Sequence, residues 1–382
     1  MSKVSVGVNL LWLVPGEVGG SEESTTASLR ALADLDDARV DLRLFVLEPM
    51  RSAHPDLLDS IPADVAPLRG HVRAARIAAE SSWLAIRTRG LGLVHHAGGT
   101  APLVRTAPYV LTLHDLQPLE RHATHSAVKR AYLRATVPRS VRRARAVIVP
   151  SEFVRRSVLD HVGGDADKVV VIPHGVETFE PATPPDVLAD RFGLHGPVVL
   201  YPAITYPHKN HRVLLDAFAD VVRSHPEAVL VLPGSVGAEE ERLREQIGRL
   251  GLRRCVRRPG RVSPSDMAGL YRTASVVAVP SRYEGFGLPA AEAMAYGAPV
   301  VAAAGTSLPE VVGDAGYLLD PDDVAGWSDA ISGLLDAPAE RARLAVAGRA
   351  RAAALYSWRT NARRLADVYA DAGRMGPAGS PL

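Results

Sequence analysis

The stretch from Ser275 to Met294 limits the possible folds more than any other part of the chain. Ser275-Val276-Val277-Ala278-Val279 is an apolar run of strand length. A loop follows, Ser281-Arg282-Tyr283-Glu284-Gly285-Phe286-Gly287, and then a helix-forming segment with Pro289 placed for its first turn. A strand, a glycine-bearing loop and a helix in this order form a ready anion site. Gly285 and Gly287 let the backbone approach a ligand, and the N–H groups of Gly287 and Leu288 point back from the helix start. Glu284 lies in the loop, and Glu292 about one turn into the helix. Carboxylates are acceptors and suit the hydroxyls of a sugar or ribose, so the stretch calls for a ligand with both phosphate and polyol parts.

With 382 residues, the chain exceeds the usual size of a single core and points to two domains. Its formal charge of +2 gives no nucleic-acid signature, and its one cysteine, Cys255, excludes an intramolecular disulfide and argues against a cysteine-based zinc site. No metal site is expected elsewhere, because the pairs His95/His96 and His122/His125 have no matching carboxylate or cysteine cluster. The opening run Val4–Val14 reads as a first strand rather than a signal segment, and no apolar run nears the roughly 20 residues of a membrane span. A cytoplasmic location is the expectation.

The first half alternates strands with helical stretches. After the first strand comes Pro15-Gly16-Glu17-Val18-Gly19-Gly20 and a helix through Leu32, the parts of a Rossmann crossover without the dinucleotide spacing Gly-x-Gly-x-x-Gly. Further strands are expected near Leu42–Leu47, Leu91–His95 and Tyr109–Leu113, with a helical stretch over Val72–Arg87 and a surface loop between Glu48 and Gly70. His114-Asp115-Leu116 stand at the end of a strand, where doubly wound sheets bind ligands. Asp115 is placed either to orient the imidazole or to cap the next turn. From Arg121 to Arg145 there are eight Lys/Arg and no Asp or Glu. The segment reads as a helix interrupted near Pro138, packing through Val128, Ala131, Tyr132, Ala135 and Val141. Its charge suits a solvated face, an anionic acceptor or peripheral contact with an anionic membrane at its inner face.

Strands at Ala146–Val149 and Val169–Ile172 close the first domain, and Ser151 is placed as an N-cap. The expected organisation is a first Rossmann-like domain over 1–176 and a proline-rich linker over 177–197. A second Rossmann-like domain follows over 198–356, then a helix over 357–372 and a loose tail over 373–382. In the second domain Lys209 precedes a helix in Tyr206-Pro207-His208-Lys209-Asn210-His211, and a lysine so placed suits a phosphate.

Glu284 and Glu292, with seven residues between them, surround Gly-Phe-Gly and precede Ala-Met-Ala-Tyr-Gly-Ala-Pro-Val-Val. This arrangement resembles the signature of the family 4 retaining glycosyltransferases, nearest to bacterial mannosyltransferase-like members. The resemblance implies the α/β GT-B fold, with two Rossmann-like domains facing across a cleft, a returning C-terminal helix that braces the first domain, and metal-independent transfer from a nucleotide-diphosphate sugar. It assigns Gly19 and Gly20 to the donor's phosphates and sugar, and His114 to the transferred sugar. Lys209, with Arg282 as a possible second base, falls to the diphosphate. Gly234, Arg261 and Val262 fall around the base and ribose, Glu284, Gly285 and Phe286 at the sugar, and Glu292 at the ribose. The chain departs from the family where many members carry an arginine, at Ala203 and Ile204.

No cofactor is expected beyond the donor substrate, for which GDP-mannose is the first choice and UDP- or dTDP-sugars follow. The acceptor is a hydroxyl of a small molecule, glycan or lipid-linked compound in polysaccharide, glycolipid or natural-product biosynthesis. Two other readings fit the same residues: a nucleotide-sugar epimerase, which needs no acceptor, and a sugar-nucleotide-binding module without turnover.

Overall fold

The computed structural model describes residues 3–117 and 127–374. The chain divides into two compact units, Met1–Gly175 with Trp358–Leu382, and Val176–Ser357.

The first unit is built on a seven-stranded sheet. Its strands are β1 (Val4–Asn9), β2 (Val40–Leu47), β3 (Ala63–Ala66), β4 (Leu93–His96), β5 (Tyr109–Thr112), β6 (Ala146–Val149) and β7 (Val169–Val171), in the order β3-β2-β1-β4-β5-β6-β7. Every pairing is parallel, so each connection must cross over, and the sequence supplies helices for this. β4, β5 and β6 are buried along their whole length, as expected of strands covered on both faces. The order reverses between β1 and β4, whose last residues, Asn9 and His96, lie side by side in register. This is the topological switch point, outside whose carboxyl edge doubly wound sheets place their ligands.

The helix Trp358–Arg374 covers one face of this sheet. Ala362, Leu365, Ala366 and Tyr369 join a buried cluster with Val6, Val110 and Ile148. It is pinned by polar contacts as well: Asn361 donates to the Pro173 carbonyl at 2.8 Å, and Ser28 donates to Asn361 Oδ1 at 2.6 Å.

The second unit carries a six-stranded parallel sheet. Its strands are β8 (Val198–Leu200), β9 (Val229–Pro233), β10 (Val256–Gly260), β11 (Val276–Val279), β12 (Val300–Ala303) and β13 (Gly316–Leu319), in the order β10-β9-β8-β11-β12-β13. Phe218, Tyr271 and Trp327 fill the core between sheet and helices. Pro259, which has no N–H to give, is tolerated because β10 is an edge strand with a register irregularity between Arg257 and Gly260.

Several expectations are corrected. The segment between Glu48 and Gly70 is not a loop: it forms the short helices Met50–Ala53 and Pro55–Ser60 and the edge strand β3, with Met50, Leu57 and Ile61 buried beneath. The expected linker over 177–197 contains the helix Pro185–Phe192, which starts on a proline and buries Leu188 in the second unit's core. Its prolines are helix starters and not only chain breakers. The basic helix Ala127–Arg143 runs without a break through Pro138. Among its described side chains Val137, Ser140 and Val141 are buried, while Ala131 and Ala135 are exposed. Residues 118–126, including His122 and His125, and the tail 375–382 lie outside the described residues, as does the side chain of Val128.

Candidate functional site

In the second unit, β11 ends at Val279 and the glycine loop leads into the helix Leu288–Tyr296, with Gly287 as its N-cap at φ 104°. A side chain is strained at this φ, and a Cβ on Gly287 would also lie 2.7 Å from Leu308 Cδ2. Two neighbours from the turn after β12 hold the loop. Ser307, fully buried, donates to the carbonyls of Glu284 at 2.9 Å and Phe286 at 2.7 Å, and the Glu284 N–H donates to Thr306 Oγ1 at 3.1 Å. The loop is therefore fixed by its carbonyls.

Lys209 closes a short 3-10 turn, Pro207–Lys209, and Asn210 follows it in the left-handed region. Asn210 donates to the carbonyls of Pro280 at 3.1 Å and Pro321 at 2.7 Å, and Tyr201 donates to the Lys209 carbonyl at 2.9 Å. The Arg282 N–H meets the His208 carbonyl at 2.8 Å, which joins the two loops directly. Lys209 and Glu284, 75 positions apart, thus come together as an ion pair with Nζ to Oε1 at 2.7 Å, the side chains 18% and 10% exposed.

Glu292 lies in the second turn of the Leu288 helix and accepts a hydrogen bond from the Tyr271 hydroxyl at 2.6 Å. Arg282 forms an ion pair with Asp322, its Nε 3.0 Å from the carboxylate. Gly234 sits at φ 144°, where a Cβ would be 2.3 Å from the Ala203 carbonyl oxygen. Gly260 takes φ 76° just before Arg261, which is exposed, and Val262, which is half-buried. The structure unites Lys209 and Glu284 in one contact and places Gly285, Phe286, Gly287 and Leu288 in the loop and helix start beside Glu284. Gly234, Arg261 and Val262 stand at the ends of β9 and β10.

In the first unit, Gly19 caps the helix Gly20–Asp34 at φ 61°. Glu22 in its first turn accepts from the Gly16 N–H at 2.7 Å and contacts His54 Nε2 at 2.8 Å, so one carboxylate ties down the glycine loop. His114 follows β5, its ring 5.9 Å from Trp12 and 6.0 Å from His174 by centroid. Its ring nitrogens are buried, and the Ala97 backbone is the polar group that acts on them. Burial pulls its pKa down to about 4, with the Ala97 backbone opposing that pull, so the ring is neutral at neutral pH. Asp115 accepts from the Gln117 N–H at 3.1 Å, which gives it the turn-capping role. His95 is held between Tyr369 and Thr112, both contacts 2.7 Å, and burial lowers its pKa to about 3.

Two family models match the chain: Glycosyltransferase Family 4 over residues 18–179, and Glycosyl transferases group 1 over residues 191–351. The chain belongs to the family 4 glycosyltransferases. The D-inositol 3-phosphate glycosyltransferase of Xylanimonas cellulosilytica is 40% identical to this family 4 chain over 234 residues, 56% of the chain and 54% of that protein. The O-antigen chain mannosyltransferase B of Escherichia coli is 33% identical over 228 residues, 58% and 59% of the respective chains. The family 4 chain therefore spans between half and two thirds of the length of these curated relatives. Among solved structures, Anabaena Alr3699/HepE in complex with UDP and glucose has a TM-score of 0.77 at 23% identity, covering 95% of this chain and 98% of that one. WaaG, a glycosyltransferase involved in lipopolysaccharide biosynthesis, has a TM-score of 0.76 at 16% identity, covering 95% and 99%. These likenesses establish the GT-B fold.

Sequence reasoning missed the supports of this family 4 site. Thr306 lies 22 positions after Glu284, Ser307 21 positions after Phe286, and Tyr271 21 positions before the carboxylate it contacts. No local spacing marks them, because the contacts join the loop after β11 to the turn after β12, and the helix Pro264–Thr273 to the Leu288 helix. Among the described residues no helix is long and apolar enough to cross a membrane.

Proposed function

We propose that the protein transfers a hexosyl group, mannosyl as first choice, from a nucleotide-diphosphate sugar to an acceptor hydroxyl with retention at the anomeric carbon. The observation that carries this reading is the Lys209–Glu284 pair beside the helix start at Gly287 and Leu288. A cation and free N–H groups suit a diphosphate, and a carboxylate suits the hydroxyls of the sugar attached to it. Family membership and the mannosyltransferase among the relatives support the same assignment.

In this reading Lys209 and the N–H groups of Gly287 and Leu288 stabilise the charge that develops on the leaving diphosphate. Glu284 positions the sugar through its hydroxyls, with Gly285 and Phe286 contributing backbone contacts. Glu292 holds the ribose, and Gly234, Arg261 and Val262 border the base. His114, neutral and half-buried, contributes a hydrogen bond to the transferred sugar, and the Gly19-Gly20 turn approaches the donor. The chain's own residues supply the electrostatics without a metal ion. The donor is GDP-mannose before a UDP- or dTDP-sugar, and the acceptor is a small molecule, glycan or lipid-linked hydroxyl compound.

The test is incubation of the purified protein with GDP-, UDP- and dTDP-sugars, with and without acceptors, following free nucleoside diphosphate and the anomeric configuration of the product by NMR. Acceptor-dependent release of diphosphate with retention is expected. Conversion of the donor sugar without acceptor would make the protein an epimerase, and binding without turnover would make it a sugar-nucleotide-binding module.

A further inference from the structure

A second polar centre lies in the first unit, at the switch point between β1 and β4, beside His114, and Asn9, Glu80 and His96, which form it, have no role assigned above. An open hollow of about 450 Å³ there is lined by residues that include Trp12, Arg76, Glu80, His114 and Tyr132. Next to Glu80 lies the buried Asn9 side chain, which is bonded at both ends of its amide. Its Oδ1 accepts from the Leu11 N–H at 3.1 Å, and its Nδ2 donates to His96 Nδ1 at 3.1 Å and to Glu80 Oε1 at 2.9 Å. Since Nδ2 can only donate, His96 accepts through Nδ1 and is neutral, in line with a pKa that burial lowers to about 3. The Asn9 amide is thereby locked and presents one N–H to one oxygen of Glu80. Glu80 is one of the residues that line the hollow, and among the described residues only one of its oxygens has a hydrogen-bond partner.

The local backbone supports a built position. Glu80 begins a π-helical turn, Glu80–Leu84, inserted between the α-helical pieces Arg73–Ala79 and Ala85–Arg87. Such turns cost helix regularity and concentrate at functional sites. Arg76, one turn earlier on the same helix, donates to the Trp12 carbonyl at 2.6 Å and so ties the helix to the loop after β1.

We propose that Glu80 is a specificity-determining residue for the acceptor: its second oxygen receives a hydrogen bond from a hydroxyl of a polyol acceptor seated at this switch point. The inference rests on the glycosyl-transfer reading given above and adds the acceptor's own contact. Asn9, Arg76 and Arg73 act on Glu80 directly, neutral His96 lies behind Asn9, and His114 and Asp115 after β5 and Tyr132 from the basic helix line the same hollow. Burial raises the Glu80 pKa, and the Asn9 bond and the charges of Arg76 and Arg73 oppose that rise.

The discriminating variant is Glu80→Gln, which keeps the Asn9 contact through its amide oxygen and turns a donor toward the hollow in place of an acceptor. The full-length protein is assayed with its best donor and with myo-inositol, D-inositol 3-phosphate and methyl α-D-mannoside as acceptors. For the acceptor with the highest turnover, the variant's KM should rise about 10–100-fold, as expected for loss of one hydrogen bond to a charged group. Its donor KM should stay within about twofold and its thermal midpoint should be unchanged. Wild-type acceptor KM should also rise as pH falls through the raised Glu80 pKa, and that limb should vanish in Glu80→Gln. An acceptor KM within twofold of wild type, or an equal rise in donor KM, overturns the proposal. If the wild-type protein releases no diphosphate with any donor and acceptor, the glycosyl-transfer reading itself falls. Glu80→Ala, which also loses the Asn9 contact, should lower the thermal midpoint and so separates packing from recognition.

Discussion

Lys209 and Glu284 hold each other in the absence of donor, so each is partly spent until a ligand arrives. At 2.7 Å their Coulomb attraction is about 6 kcal/mol at an effective dielectric near 20. Desolvation of both groups cancels most of this, and with side chains 18% and 10% exposed a net coupling of about 1–3 kcal/mol remains. A diphosphate competes with Glu284 for the same ammonium group. Glu284→Gln should therefore release Lys209 and tighten binding of bare GDP or UDP about 5–150-fold, the full release of that coupling, while weakening the sugar nucleotide because a hydroxyl contact is lost. Lys209→Ala should weaken both by about 10–100-fold, one charge-assisted bond. Calorimetric titration of GDP, UDP and GDP-mannose into wild type, both single variants and the double variant closes the cycle, with thermal scans to confirm folding. If Lys209→Ala binds GDP and UDP as wild type does, Lys209 is not at the diphosphate. If Glu284→Gln binds them no more tightly, the competition argument is wrong.

Three further outcomes are expected. Gly234→Ala adds a methyl group 2.3 Å from the Ala203 carbonyl at a φ of 144°, and should lower stability by at least about 1–3 kcal/mol in urea unfolding. His95 is buried neutral with a pKa of about 3 against about 6.5 when unfolded, so the unfolded state binds more protons between these values. Stability should be full above about pH 6.5 and fall as pH drops toward 3, by up to about 1.4 kcal/mol per pH unit from this group, and His95→Gln should make that limb shallower in denaturant titrations. Arg134, Arg142 and Arg143 are exposed on the basic helix, and replacing all three with Glu should abolish any preference for anionic over neutral vesicles in co-sedimentation. Equal binding of wild type to both vesicle types ends the membrane idea.

Legibility in the sequence followed the range of the interactions. β11 was readable because a strand covered on both faces is an apolar run, β1 as the start of Val4–Val14, and the Leu288 helix because Gly and Pro mark its start. The helix Pro185–Phe192 and the strand β3 were not, since Pro, Asp and Ala mark loops as readily as helix starts and edges, and burial of Leu188 and Ala66 decides between them. At the site, the residue types at Glu284 and Lys209 could be singled out, but their ion pair could not, because it depends on β8 and β11 lying side by side. The Asn9–Glu80 bond was hidden for the same reason: it joins the end of β1 to a helix 71 positions later.

The helix Trp358–Arg374 covers the sheet formed by the chain's first 171 residues. Synthesis runs from the amino end, so the ribosome must translate the entire second unit before this apolar face receives its cover. Until then Val6, Val110 and Ile148 are open on that side, while Val176–Ser357 has every segment it needs to collapse. The half encoded second can thus finish folding first, and a nonsense codon near residue 357 would do its damage to the half encoded at the start.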